Sequence, residues 1–264
     1  MNSLRTVLMI AALVILTAAP VWAQDAGDEF EDIDAVEQVE PAADGVMLMQ
    51  LYSSESCPFC PAAERNLNDL TADPSIIGVT CMVDYFDSGK PSILARPFCQ
   101  AQQDVYVHML RTGSNYTPML VLNGKVQMPG QDLSKVSKGV KAVREGNALP
   151  ASITISIGHE TGDYDALLPD VTEGSGKYVL RITMVKHAPD ADLFSSAVQQ
   201  VERRPHNVAT SLIEGGIWDG KRRVWSMKPK PDGIADGFIV TVQDQASGVV
   251  LAAGQADLVV TKSK

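Results

Sequence analysis

The residues of this sequence best suited to chemistry are four cysteines, Cys57, Cys60, Cys81 and Cys99. The first two enclose Pro58 and Phe59, a spacing that puts two sulfurs within reach of one disulfide. Thiol–disulfide exchange needs an attacking thiolate, a sulfur that can be attacked, and a second thiol to resolve the mixed disulfide. A Cys-Pro-Phe-Cys run at the start of a helix meets these needs. The free N–H groups and positive dipole end of the helix stabilise the sulfur anion of the leading cysteine. A thiol of pKa about 8.5 is roughly 3% ionised at neutral pH, and one lowered to about 7 is half ionised. Cys57 is the expected nucleophile and Cys60, one turn deeper, the resolving thiol. The chemistry requires no cofactor, and its partners are protein or small-molecule thiols and disulfides.

Other chemistries fit the same residues. The pair is open to reading as a plain structural disulfide, in which case the chain is a non-catalytic envelope binding protein on a thioredoxin-like scaffold, or as a soft-metal site holding copper(I). A zinc site needs two more ligands, for which Cys81 and Cys99 are the candidates. A Cys–His hydrolase needs a positioned His, and His108, the nearest in sequence, has no motif around it. The spacing favours pairing 57 with 60 and 81 with 99. The second bridge is then structural, closing a loop of about 18 residues worth roughly 3 kcal/mol. Thr117-Pro118 is the other feature of interest: in thioredoxin-like proteins a cis-proline faces the dithiol and the residue before it pairs with the partner chain, and this proline reads either as that tight cis turn or as an ordinary trans proline that starts a strand. Glu55 precedes the dithiol and reads either as a proton acceptor or as a solvated loop charge. Asp84, Tyr85 and Asp87 cluster after a strand and are candidates for lining a cleft.

The elements that must position these groups are legible from periodicity. Val46 to Tyr52 is an apolar run fit for a buried strand, and a polar loop leads from it to the dithiol. Ala63, Leu67 and Leu70 repeat at helical spacing until Asp73-Pro74. Ile77, Val79, Cys81 and Val83 alternate as a strand. A second helix is expected from about Phe98 to Gly113. Met119 to Leu122 and Lys125 to Met128 flank Asn123-Gly124, a strong hairpin turn. Leu133, Val136, Val140 and Val143 line a third helix closed by Gly146. The order β-α-β-α-β-β-α is that of a thioredoxin-like α/β domain, assigned to residues 46–148. After Pro150 alternating runs separated by Gly and Asp clusters predict a β-rich C-terminal domain at 149–264, of the small all-β sandwich kind.

The N-terminus carries its own signals. Arg5, an apolar run from Thr6 to Thr17 and the small-residue ending Val21-Trp22-Ala23 read as a signal peptide at 1–23. The run is short for a bilayer span, so membrane association is expected only through an uncleaved signal. Residues 24–45 hold nine carboxylates and no Lys or Arg, the composition of an acidic disordered segment. Nearly all of the net charge of −10 lies there, and the remainder of the chain is close to neutral. No basic patch exists to attract nucleic acid. A periplasmic or secreted location follows, an oxidising setting in which disulfides persist.

Several segments together carry a family resemblance. Leu51-Tyr52-Ser53-Ser54-Glu55-Ser56-Cys57-Pro58-Phe59-Cys60-Pro61, Val83-Asp84-Tyr85-Phe86-Asp87, Phe98-Cys99 with Gln103 and Tyr106, Tyr116-Thr117-Pro118-Met119-Leu120-Val121-Leu122-Asn123-Gly124 and Ile217-Trp218-Asp219-Gly220 resemble motifs of the bacterial domain of unknown function 1223 family. The resemblance implies an exported thioredoxin-like protein and supplies no substrate. The chain departs from the family pattern at Met82, where His is frequent, at Phe86, where Trp is frequent, and at Ser88-Gly89-Lys90-Pro91, which replaces a Gly-Trp run.

Overall fold

A computed structural model describes residues 45–85, 87, 92–146, 149–189, 205–230 and 232–259. The signal peptide expected at 1–23 and the acidic segment up to residue 44 lie outside the described residues, as do Phe86 and Ser88–Pro91. No helix among the described residues is long and apolar enough to cross a membrane.

The first half forms around a strand buried on both faces, β1 (Met47–Ser53). Its alternation sends Met47, Met49 and Leu51 to one side and Leu48 and Tyr52 to the other, into two separate cores. Helix α1 (Cys60–Leu70) follows, with Pro61 in its first turn, where a missing N–H costs nothing. Its buried face is Cys60, Ala63, Glu64 and Leu67, at i, i+3, i+4 and i+7. Burying Leu67 and Leu51 contributes about 1.5–3 kcal/mol each. Strand β2 (Ile76–Met82) lies parallel to β1, and helix α2 (Pro97–Met109) covers the Leu48–Tyr52 side. Strands β3 (Met119–Leu122) and β4 (Val126–Pro129) make a hairpin whose turn residues Asn123 and Gly124 both have positive φ, 51° and 67°. Helix α3 (Leu133–Glu145), capped by the Asp132 carboxylate on the Lys135 N–H, packs Val136 and Val143 beside α1.

The described residues of the second half form strands, as the alternation predicts, but these strands do not form a sandwich apart from the first half. They are β5 (Ala151–Ser152), β6 (Thr154–Ile157), β7 (Tyr164–Leu168), β8 (Tyr178–Lys186), β9 (Val208–Trp218), β10 (Arg223–Met227), β11 (Gly237–Asp244) and β12 (Val250–Asp257). Among the described residues nine strands share one mixed sheet in the order β4-β3-β1-β2-β9-β8-β11-β12-β5, and β10-β7-β6 form a second, antiparallel sheet. The reason lies at β2. Its outer edge would leave backbone groups unpaired inside the protein, and β9 closes it: the Thr80 N–H donates to the His206 and Asn207 carbonyls, each at 3.1 Å. Strand β11 then serves two cores, with Phe238, Val240 and Val242 against the small sheet and Ile239 against the core of α2. The Trp218-Asp219-Gly220 element turns β9 into β10. Trp218 is buried and donates its indole N–H to the Lys221 carbonyl at 3.0 Å. Gly220 has φ +87°, and a Cβ there would lie 2.4 Å from the Val171 carbonyl oxygen, so no other residue fits.

A buried polar chain joins the two halves. The Tyr106 hydroxyl donates to Gln50 Oε1 at 2.7 Å and accepts from Gln243 Nε2 at 2.9 Å, and Gln243 Oε1 accepts from the Arg181 guanidinium. Replacing Tyr106 by Phe strands an amide of β1 and one of β11, a cost of about 1–3 kcal/mol. Urea unfolding of Tyr106→Phe is expected to show that loss in one cooperative transition reporting both halves. Separate transitions for the halves would contradict the shared sheet.

Candidate functional site

Strand β1 ends at Ser53, and the chain turns through Ser54, Glu55 and Ser56 before reaching Cys57. Side chains from beyond β2 hold this turn. The Asp87 carboxylate accepts from the Ser54 hydroxyl at 3.0 Å and the Ser56 N–H at 3.2 Å. Glu55 is buried and accepts from the Ser92 hydroxyl. It is therefore not the solvated loop charge considered from sequence. Cys57 stands one turn before α1 rather than inside it, and the Cys60 N–H donates back to the Cys57 carbonyl at 3.3 Å.

The Thr117–Pro118 segment meets the dithiol from the other side. Its peptide bond is cis. The Cys57 thiol donates to the Thr117 carbonyl at 3.5 Å. Strand register explains the meeting: β1 and β3 run antiparallel with Tyr52 opposite Met119, so the chain just after β1 faces the chain just before β3. Gln103 of α2 fixes this segment by donating to the Tyr116 carbonyl at 2.8 Å.

The two sulfurs occupy unlike surroundings. Cys57 is 7% exposed and Cys60 is 0% exposed. Both are thiols in this structure. The Cys57 pKa falls to about 6, chiefly because its thiolate accepts a hydrogen bond from the Cys60 thiol, with further help from Thr117 and from the N–H groups of Phe59 and Cys60, against an opposing effect of burial. Cys60 moves the opposite way: burial pushes its thiol far up, and donating to Cys57 adds to the rise. The Ser54 N–H points at the Cys60 sulfur from 3.5 Å. Half-buried Tyr85 lies close enough for the charges of both sulfurs to raise its pKa, to about 12, although burial is the larger cause.

Cys81 of β2 and Cys99 of α2 are joined by a disulfide with both residues buried. Their sulfurs are bonded to each other and so do not complete a zinc site with the dithiol. Exposed His108 lies near the end of α2. Among the described residues no group of three or more His, Cys, Asp and Glu comes together as a metal site.

Two neighbours of the dithiol receive no role from a reading of the sequence. Glu64 is 0% exposed on α1, and Ser53, also buried, donates to it at 2.6 Å. The sequence does hold a trace of this. Glu64 falls four residues after Cys60, on the stripe with Ala63 and Leu67, where a helix of this kind places apolar side chains.

A family model described as "Protein of unknown function (DUF1223)" matches residues 48–243. No curated protein matches the chain. Among solved structures, a protein from Agrobacterium tumefaciens is similar over 84% of this chain and 98% of its own, with 21% identity and a TM-score of 0.66. HBP35 of Porphyromonas gingivalis is similar over 85% of this chain and 80% of its own, with 11% identity and a TM-score of 0.57. At these identities the likeness concerns the fold.

The geometry fixes a pH profile. The depressed pKa leaves Cys57 a thiolate at neutral pH, and the thiolate is lost as pH falls through about 6. Iodoacetamide is expected to alkylate Cys57 of the reduced protein with a rate that rises through that pH and then levels off, leaving Cys60 slow throughout. A midpoint near the ordinary thiol value of about 8.5 would contradict this electrostatic account.

Proposed function

The chain belongs to the DUF1223 family, and we propose that it is an exported, thioredoxin-like thiol–disulfide oxidoreductase working through Cys57 and Cys60. The observation that carries this reading is the inequality of the two thiols. One sulfur is slightly exposed with its anion stabilised, and the other is fully buried behind it. A purely structural disulfide has no use for that difference, whereas exchange chemistry requires it.

In the proposed reaction the Cys57 thiolate attacks one sulfur of a partner disulfide. A Cys57–partner disulfide forms, the partner's own S–S bond breaks, and one partner thiolate leaves. Cys60 then attacks the Cys57 sulfur and displaces the second partner thiolate. The dithiol has become the 57–60 disulfide, and the partner has gained two electrons. The reverse sequence oxidises a partner. Thr117 and Pro118 bind the partner: the Thr117 carbonyl beside the sulfur is a main-chain group with which an extended segment can pair. Phe59, 60% exposed next to Cys57, offers an apolar contact. A disulfide already closed between Cys81 and Cys99 supports the periplasmic or secreted location, because such bridges are rare in reducing compartments.

The test uses dithiothreitol-driven reduction of a disulfide-bonded peptide. The native protein is expected to accelerate it, Cys57→Ser to fall to the uncatalysed rate, and Cys60→Ser to accumulate a Cys57–peptide adduct. Full activity in Cys57→Ser would remove the reading.

A further inference from the structure

Three consecutive carbonyls make up the turn that meets Cys57, and the fold treats them differently. The Tyr116 carbonyl accepts from Gln103 Nε2 at 2.8 Å, and the Pro118 carbonyl accepts from the Gly130 N–H at 3.0 Å. The Thr117 carbonyl between them accepts from the Cys57 thiol at 3.5 Å, and no other hydrogen bond reaches it among the described residues. Cys57 as a thiolate has no hydrogen to give, so the attacking form of the protein leaves this carbonyl open. Its aim then depends on its neighbours, and Gln103 holds them from within. The Gln103 amide carries two hydrogens. Its Nε2 reaches the Tyr116 oxygen on one side of Thr117-Pro118 and the Met119 sulfur, at 3.7 Å, on the other. Gln103 itself stands between two anchored residues on the buried stripe of α2. Cys99, a turn earlier, is bonded to Cys81 of β2, and Tyr106, a turn later, is tied to Gln50 and Gln243. Gln103 is 0% exposed, and an apolar residue would fill that stripe without the cost of burying an amide.

We propose that Gln103 is the positioning residue that makes this protein selective for disulfides within a polypeptide over those of small thiols that lack a peptide chain. The proposal rests on the redox reading above and deepens it by naming the substrate class. An extended partner brings a main-chain N–H to the Thr117 carbonyl while Cys57 attacks the partner's sulfur. A small disulfide without a peptide group has no such donor and gains nothing from the arrangement. Gln103 acts through the aim of the Thr117 carbonyl rather than on the reacting sulfurs.

The experiment compares reagents that share one leaving group. Protein reduced at Cys57 and Cys60 is mixed with a cysteine peptide, or with mercaptoethanol, each joined by a disulfide to an aryl thiol whose thiolate absorbs visible light. The Cys57 thiolate attacks the peptide or mercaptoethanol sulfur. A Cys57–reagent disulfide forms, the bond to the aryl sulfur breaks, and the coloured aryl thiolate leaves. Further peptides are N-methylated, one at a time, at the residues flanking the cysteine. In the native protein methylation at one of these positions is expected to slow the release about tenfold, the size of one lost main-chain hydrogen bond. Gln103→Met, of similar length and without the donor, is expected to lower the ratio of peptide to mercaptoethanol rates about tenfold. Methylation should then cost little more, as expected of two changes that remove one interaction. A full ratio in Gln103→Met overturns the proposal, and so does a methylation effect of the same size in native protein and variant. Native protein indifferent to methylation overturns it too, as does equal slowing on both reagents, which would mean damage to Cys57 itself. If Gln103→Met fails to fold, Gln103→Asn, whose amide is one methylene short of the Tyr116 carbonyl, carries the same comparison. Native protein that releases no colour from either reagent fails the redox reading itself and is thereby distinguished from failure of the positioning.

Discussion

The site depends on the pairing of β1 with β3. That antiparallel register sets Tyr52 opposite Met119, and from it follows the meeting of Cys57 with the Thr117 carbonyl. Because β1 is buried on both faces, a slip of one residue would move Met47, Met49 and Leu51 out of the α1–α3 core and Leu48 and Tyr52 out of the α2 core at once. The cost of such a slip is several buried side chains, so the register is firmly held. The Asn123 side chain adds a pin at the far end by accepting the Leu48 N–H at 2.8 Å. A sulfur contact at one end of the sheet is thus fixed by packing along its whole length.

Around that fixed point the fold separates two chemically identical thiols. Cys57 precedes the helix and shares the N–H groups of its first turn, whereas Cys60 begins the helix and enters the core with it. The preceding turn is held by carboxylates, Glu55 on Ser92 and Asp87 on Ser54 and Ser56. These acidic groups accept from hydroxyl and N–H donors and so hold the loop. The second half of the chain contributes by covering: β9 closes the edge of β2, and Gln243 completes the polar chain through Tyr106 to β1. The platform beneath the dithiol is therefore built by residues nearly two hundred positions apart.

Much of the first half was legible because its signals are local. Positive-φ turn residues at Asn123-Gly124, prolines at helix starts and an unbroken apolar run at β1 each act over a few residues. The strands after Pro150 were legible as strands, since alternation is also local. Which sheet they join was not, because an unpaired edge such as that of β2 attracts any strand able to reach it, and the reach depends on the three-dimensional path. At the site, Cys57, Cys60, Thr117 and Pro118 stand out by residue type and spacing. Glu64 does not, because a charged residue on a helix ordinarily marks the solvent face. Only its phase relative to Cys60, Ala63 and Leu67 betrays burial. Glu55 misleads in the same way: its acceptor contact with Ser92 spans 37 residues and leaves no mark on the local pattern.

The central claim is that one pair of sulfurs opens and closes while the fold around it stays intact. The direct measurement is equilibration of the purified protein in glutathione buffers of graded potential, followed by acid quenching, mass spectrometry of the linked cysteines and circular dichroism of the same samples. The account predicts a single reversible two-electron transition assigned to Cys57 and Cys60, with the 81–99 bridge retained and the spectrum constant across it. A 57–60 bridge that never forms, or one whose opening unfolds the protein, would contradict it.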